Sequence, residues 1–253
     1  MLAIQTFGEP TALPTLLIVH GLFGSGRNWG AIARRMADSR RVITADQRNH
    51  GDSFRADSQT YADMADDLAE VIEGQGGAMD VVGHSMGGEA AMFMGDTSAE
   101  LFNRVLMADI APVAYTHSQS HLIDAMEALD LSGVATRGDA DRALAAAVPD
   151  DATRAFLLQS LDLKSVPPRW RLNLPVLRAE MAKITGWPDV TGAYQGRTLF
   201  LSGAESSYVR PEHRDVIRAL FPHARFARIP GAGHWLHAEK PREFEAALRV
   251  FLN

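Results

Sequence analysis

Four short runs of uninterrupted apolar residues constrain this chain most. Leu16–His20 (LLIVH), Val42–Asp46 (VITAD), Met79–Gly83 (MDVVG) and Val105–Asp109 (VLMAD) all fall within the first 110 residues. A strand with one wet face alternates apolar and polar residues, whereas continuous runs suit strands covered on both faces. Stretches with helical periodicity lie between them: Trp29–Met36, with Trp29, Ile32, Ala33 and Met36 on one face, and Tyr61–Glu73, with Met64, Leu68 and Ile72. Strand–helix–strand alternation implies right-handed crossovers and a mostly parallel sheet flanked by helices. Thr198–Ser202 and Phe226–Pro230 resume the strand pattern, and Pro241–Leu252 reads as a closing helix with proline in its first turn.

The middle of the chain departs from this pattern. No strand of similar quality is expected between about 116 and 191. The amphipathic segments there are Leu122–Leu131, Ala140–Val148, Thr153–Leu163 and Leu177–Ile184, with Pro167-Pro168 as a break. A helical block this long between two strands of one sheet exceeds an ordinary crossover and reads as a cap over the strands' carboxyl ends. The expected organisation is a core of residues 1–115 and 192–253 with a helical cap, 116–191, inserted before the penultimate core strand.

Composition removes several classes of function. The 253 residues contain 25 Lys and Arg against 31 Asp and Glu, so the formal charge of −6 offers no footprint for a phosphate backbone and nucleic acid is not an expected partner. There is no cysteine, which excludes disulfides, thiolate nucleophiles and Cys-ligated metals. No apolar stretch approaches the ~18 residues of a membrane span, and no secretory signal is visible, so a cytoplasmic protein is expected. Either a monomer or a homodimer is compatible with the sequence.

The chemistry concentrates where strands end. Gly83-His84-Ser85-Met86-Gly87-Gly88 follows one apolar run and precedes a helical one, Glu89–Met94. A G-x-S-x-G sequence in that position puts serine on a sharp turn with its hydroxyl exposed, which marks Ser85 as nucleophile rather than turn former. Serine needs a general base. Of nine histidines, His234 is favoured, because Gly231-Ala-Gly-His234-Trp235 follows the last strand at the same sheet edge. His20, His50, His84 and His237 are read as packing or loop residues. His117 and His121 have i, i+4 spacing but no HEXXH glutamate between them, so they are read as a solvated face and no metal is expected. Two backbone amides should receive the oxyanion: Met86, after the nucleophile, and Leu22, in the loop His20–Gly26. That loop has Arg27-Asn28 where a phosphate-binding loop needs Lys and then Ser or Thr, and its glycine order does not suit a dinucleotide. Phe23, Leu122, Met126, Phe156 and Leu157 are the candidates for an apolar substrate pocket.

Taken in order, HGLFGS (His20–Ser25), DQRNHGDS (Asp46–Ser53), GHSMGG (Gly83–Gly88), ADIAPVAY (Ala108–Tyr115), WRLNLPVL (Trp170–Leu177) and GAGHWLHAEKP (Gly231–Pro241) resemble the α/β-hydrolase superfamily. Within it, the chain is most similar to small bacterial serine esterases related to abhydrolase-domain-containing protein eleven. The resemblance implies the α/β-hydrolase fold and cofactor-free hydrolysis of short to medium acyl esters, with acyl-CoA thioesters as a further class. Across the superfamily the triad acid often lies in G-x-x-D-x-x-V, where Gly203–Val209 of this chain carries Ser206. Two carboxylates compete for the role. Asp109, ending its strand, is favoured to orient His234, with Ser206 bonding nearby, and Glu205 is the alternative. In the similar esterases the matching Asp and Ser are linked to the catalytic histidine. C–C bond hydrolysis, cofactor-free peroxidation, or a ligand-binding receptor or scaffold on the same fold are the rival functions, and ester turnover separates them.

Overall fold

The structure is a computed structural model covering residues 1–253. Nine strands are present: β1 (Ile4–Phe7), β2 (Leu16–Val19), β3 (Val42–Ala45), β4 (Met79–His84), β5 (Phe102–Ala108), β6 (Leu161–Asp162), β7 (Arg169–Trp170), β8 (Arg197–Gly203) and β9 (Ala224–Ile229). Seven form one sheet in the order β1-β3-β2-β4-β5-β8-β9, parallel except for β1, which pairs antiparallel with β3. This is the α/β-hydrolase architecture.

The continuous apolar runs are explained by two cores, one on each face of the sheet. On β2, Leu17 and Val19 join one cluster and Leu16 and Ile18 the other. The same alternation separates Val105 and Met107 from Leu106 and Ala108 on β5. Helices α2 (Tyr61–Glu73) and α3 (Met86–Thr97) contribute to the first core, and α1 (Gly30–Met36) and α11 (Pro241–Leu252) to the second. The first strand escaped the sequence pattern because its residues are largely exposed at the sheet edge, where no apolar run is required.

Between β5 and β8 the chain forms α4 (Ser120–Ala128), α5 (Arg137–Leu144), α6 (Asp151–Leu157), α7 (Leu174–Ala179) and α8 (Met181–Ile184). No strand of the quality of the core strands occurs in this stretch, which holds only the short antiparallel β6–β7 ribbon. Two paired residues per strand are too few to leave a periodic signal. Capping fixes several starts locally: Thr136 begins α5 with its side chain bonded to the Asp139 amide, and Asp150 begins α6 through the Thr153 amide. After β8 come α9 (Arg214–Leu220) and, past β9, α10 (Leu236–Glu239) leading into α11.

Candidate active site

At the carboxyl end of β4 the chain turns sharply into α3 through Ser85, whose φ of 52° and ψ of −127° lie outside the regions that ordinary residues favour. Such a conformation persists only where its surroundings over-determine it. Gly87 supplies part of that constraint, since a Cβ there would lie 2.5 Å from the His20 carbonyl oxygen of the neighbouring strand end. The His20–Gly26 loop comes equally close. A Cβ on Gly21 would lie 3.0 Å from the Ser85 Cβ. Leu22 and Met86, whose amides are the expected oxyanion donors, therefore flank Ser85 on the wall of one cavity.

Asp109 follows β5 directly, fully buried and with a positive φ of 51°. Its Oδ2 accepts from His234 Nδ1 at 2.8 Å and from the Ser206 hydroxyl, and its Oδ1 accepts from the Gly203 amide at 3.0 Å. Three donors thus satisfy a carboxylate that would otherwise be costly to bury. The bond to Nδ1 fixes the imidazole tautomer that leaves Nε2 as a base. Glu205 is exposed in the turn after β8 and makes no bond to His234. Ser206, standing where the superfamily pattern has aspartate, bonds the Asp109 carboxylate instead. No direct hydrogen bond joins Ser85 Oγ to His234 here, and such bonds are often long before substrate arrives.

Four buried histidines brace the site rather than react in it. His20 donates from Nδ1 to the Gly21 carbonyl at 2.8 Å and accepts at Nε2 from the Gln47 amide at 3.0 Å. His50 bonds the Arg48 carbonyl through Nδ1 and accepts from the Phe23 amide at 3.2 Å, holding the loop that carries Leu22. These acceptor roles require neutral rings, and burial depresses both, His50 to about 3. His84 donates from Nε2 to the His234 carbonyl at 2.9 Å, and burial holds it well below the usual histidine range. His237 stacks on Trp29 at 3.8 Å and is pushed down to about 3, again by burial.

The cavity enclosed by these elements measures about 360 Å³, within the range of small-molecule sites. Its wall includes Ser85, His234, Leu22, Phe23, Leu122 and Phe156. Two of the expected pocket residues are corrected: Met126 and Leu157 are buried in the core, away from the cavity. Met126 lies one helical turn past Leu122, with Trp170 Nε1 donating to its carbonyl at 2.9 Å. Leu157 is turned by one helical position from Phe156, which packs on Trp235 at 5.2 Å. His117 and His121 are both exposed, as a solvated face requires, and both also border the cavity. His117 Nε2 bonds the Tyr208 hydroxyl at 2.8 Å, and the Tyr208 ring stacks on His234 at 3.9 Å and 17°. Tyr208, Tyr115, Trp235 and Glu89 are cavity residues that the motifs did not single out. For Tyr208 the available signal was its position two residues past Ser206, in the same turn.

The alpha/beta hydrolase family pattern matches residues 16–247. A protein of Mus musculus named sn-1-specific diacylglycerol lipase ABHD11 is 39% identical over 255 residues, covering 97% of this chain and 82% of that one. Esterase YbfF of Escherichia coli (strain K12) is 37% identical over 241 residues, covering 94% and 92%. A solved structure described as a marine microorganism esterase superposes with a TM-score of 0.93 at 34% identity, covering 99% of this chain and 98% of its own. With that pattern spanning the six parallel strands and the Ser85, Asp109 and His234 loops alike, this chain belongs to the alpha/beta hydrolase family.

Proposed function

We propose that the chain is a serine hydrolase of carboxylic esters working through an acyl-enzyme on Ser85. The hydrogen bond from His234 to buried Asp109, at the wall of the cavity that Ser85 also lines, carries this reading. His234 Nε2 takes the Ser85 proton as Oγ attacks the ester carbonyl, and Asp109 stabilises the imidazolium so formed. The amides of Leu22 and Met86 receive the oxyanion, each such donor being worth about 10²–10³ in rate elsewhere. Collapse of the tetrahedral intermediate breaks the bond to the leaving oxygen, which takes the proton from His234. Water then repeats the sequence on the acyl-enzyme. Ser206 acts through Asp109 as a positioning residue.

Short to medium acyl chains are the proposed substrates, since the cavity is lined by Leu22, Phe23, Leu122 and Phe156 at its apolar part. Residues 116–191 serve as a cap over it. A thioester differs only in its leaving atom, and acyl-CoA thioesters are a second class for the same steps. The two relatives named as a diacylglycerol lipase and an esterase support carboxylic esters over other reactions of the family. A fluorophosphonate should label Ser85 alone, and Ser85→Ala should lower ester turnover by about 10³ or more with the fold retained. Equal labelling of the Ser85→Ala protein overturns the assignment.

A further inference from the structure

Glu89 lies one turn beyond Ser85 on α3, its amide bonded to the Ser85 carbonyl at 3.1 Å, and its side chain is 2% exposed on the cavity wall. Oε2 lies 2.5 Å from the Tyr61 hydroxyl, and that hydroxyl lies 2.5 Å from the Ile184 carbonyl. Two oxygens therefore crowd a hydroxyl that carries one proton. The Ile184 carbonyl can only accept, so it takes the tyrosine proton, and the contact with Glu89 is then a hydrogen bond only if the carboxyl supplies a second. The arrangement is complete with Glu89 neutral: Oε2–H donates to Tyr61 and Tyr61 donates to Ile184. No basic side chain bonds Glu89, and burial pushes its carboxyl well above the usual range. Oε1 is then a buried carbonyl oxygen without any partner. Proteins rarely leave such an acceptor unmatched away from a ligand.

We propose that Glu89, held neutral by Tyr61 and Ile184, is a specificity residue whose free Oε1 accepts a hydrogen bond from a donor on the acyl group, so that the cavity favours acyl chains carrying a hydroxyl over plain alkanoyl chains. The proposal rests on Ser85 as the acylated residue for the direction in which the chain lies. Charge follows from the same geometry: an anionic acyl group meets an acceptor with no cation beside it and is disfavoured. Sites that hydrogen-bond a substrate hydroxyl discriminate strongly against analogues lacking one, because a buried group is then left unpaired.

The test compares kcat/KM for p-nitrophenyl hexanoate with that for the 3-hydroxyhexanoate and 6-hydroxyhexanoate esters, in the wild type, Glu89→Gln and Glu89→Leu. At least one hydroxy ester should be preferred by about tenfold or more in the wild type. Glu89→Gln should keep that ratio, since its amide donates to Tyr61 and still presents a carbonyl, and Glu89→Leu should bring it to about unity. A ratio near unity in the wild type, or one that survives in Glu89→Leu, overturns the proposal. Infrared difference spectroscopy gives a readout without turnover. A protonated-carboxyl stretch should be present at pH 8, vanish in Glu89→Gln, and shift on adding one of the hydroxyhexanoic acids but not hexanoic acid. Absence of the band, or an equal shift with all three acids, overturns the proposal. Failure of every ester to turn over would instead count against the acyl-enzyme reading while the spectra still decide this one.

Discussion

The two walls of the cavity are built by different means. The wall at the sheet edge is set by backbone: Ser85 and Asp109 sit at positive φ, Gly21 and Gly87 permit approaches that a Cβ would forbid, and His20, His50 and His84 tie loop to loop through main-chain groups. The opposite wall, from residues 116–191, is set by side chains such as Leu122 and Phe156, and much of its surface bonding is ionic and exposed. Arg178, for example, pairs with Asp124 and Glu127 at 2.7 and 2.6 Å, all three partly exposed, and such pairs contribute at most about 1 kcal/mol each. Fixed backbone suits the placement of reacting atoms, where an error of an ångström is costly. Side chains on short helices suit selection among similar chains, where a methylene is worth about 1–3 kcal/mol.

The largest effect should come from the sheet-edge wall. Asp109→Asn is expected to lower kcat by about 10²–10⁴, because the carboxylate that holds the His234 tautomer is lost. Glu205→Gln, on the exposed turn, should cost less than about tenfold. Comparable losses from both would mean that His234 has another partner during turnover.

Acid stability should also be a property of that wall. His237 is buried, and its pKa is lowered from 6.5 to about 3, so the unfolded chain binds a proton between those values that the folded chain does not. Its contribution is complete above about pH 6.5 and declines as pH falls, by about 1.4 kcal/mol per pH unit. Glu89, whose pKa is raised, works in the opposite sense and favours the folded chain as pH falls. The clean measurement is therefore a difference. His237→Phe, which keeps an aromatic ring against Trp29, should flatten the urea-derived stability slope between pH 6 and pH 4.5 by about that amount. An unchanged slope would mean that His237 is protonated in the folded chain.

The smallest effect belongs to the 116–191 wall. Leu122→Ala with Phe156→Ala should change the kcat/KM ratio between butanoate and octanoate esters by about three- to tenfold, leaving the Ser85 labelling rate largely intact. A uniform fall across chain lengths would make these residues elements of stability and not of selection.

The contrast between the walls also explains what was legible in the sequence. Tyr61–Glu73 and Pro241–Leu252 are helices with the expected bounds, since each carries a long apolar stripe and a clear start. Ser85 and His234 announced themselves through glycines that the turns require. Asp109 stood at the end of a recognisable apolar run, although Glu205 remained open until the fold placed one carboxyl against His234 and the other in solvent. In the 116–191 stretch, Met126 and Leu157 satisfied the same apolar pattern as Leu122 and Phe156, and periodicity alone does not tell a helix face turned to a cavity from one turned to a core.

By itself the sequence determined the six parallel strands, their two covered faces, the Ser85 turn and the His234 loop. All of these are local matters of periodicity, glycine placement and chain order. Tertiary structure alone decided which acid meets His234, that Tyr208 stacks on it under His117, and that Glu89 and the Ile184 carbonyl meet at one tyrosine hydroxyl. Those outcomes depend on distances between residues far apart in the chain, Asp109 with His234 or Tyr61 with Glu89 and Ile184, and only packing sets such distances.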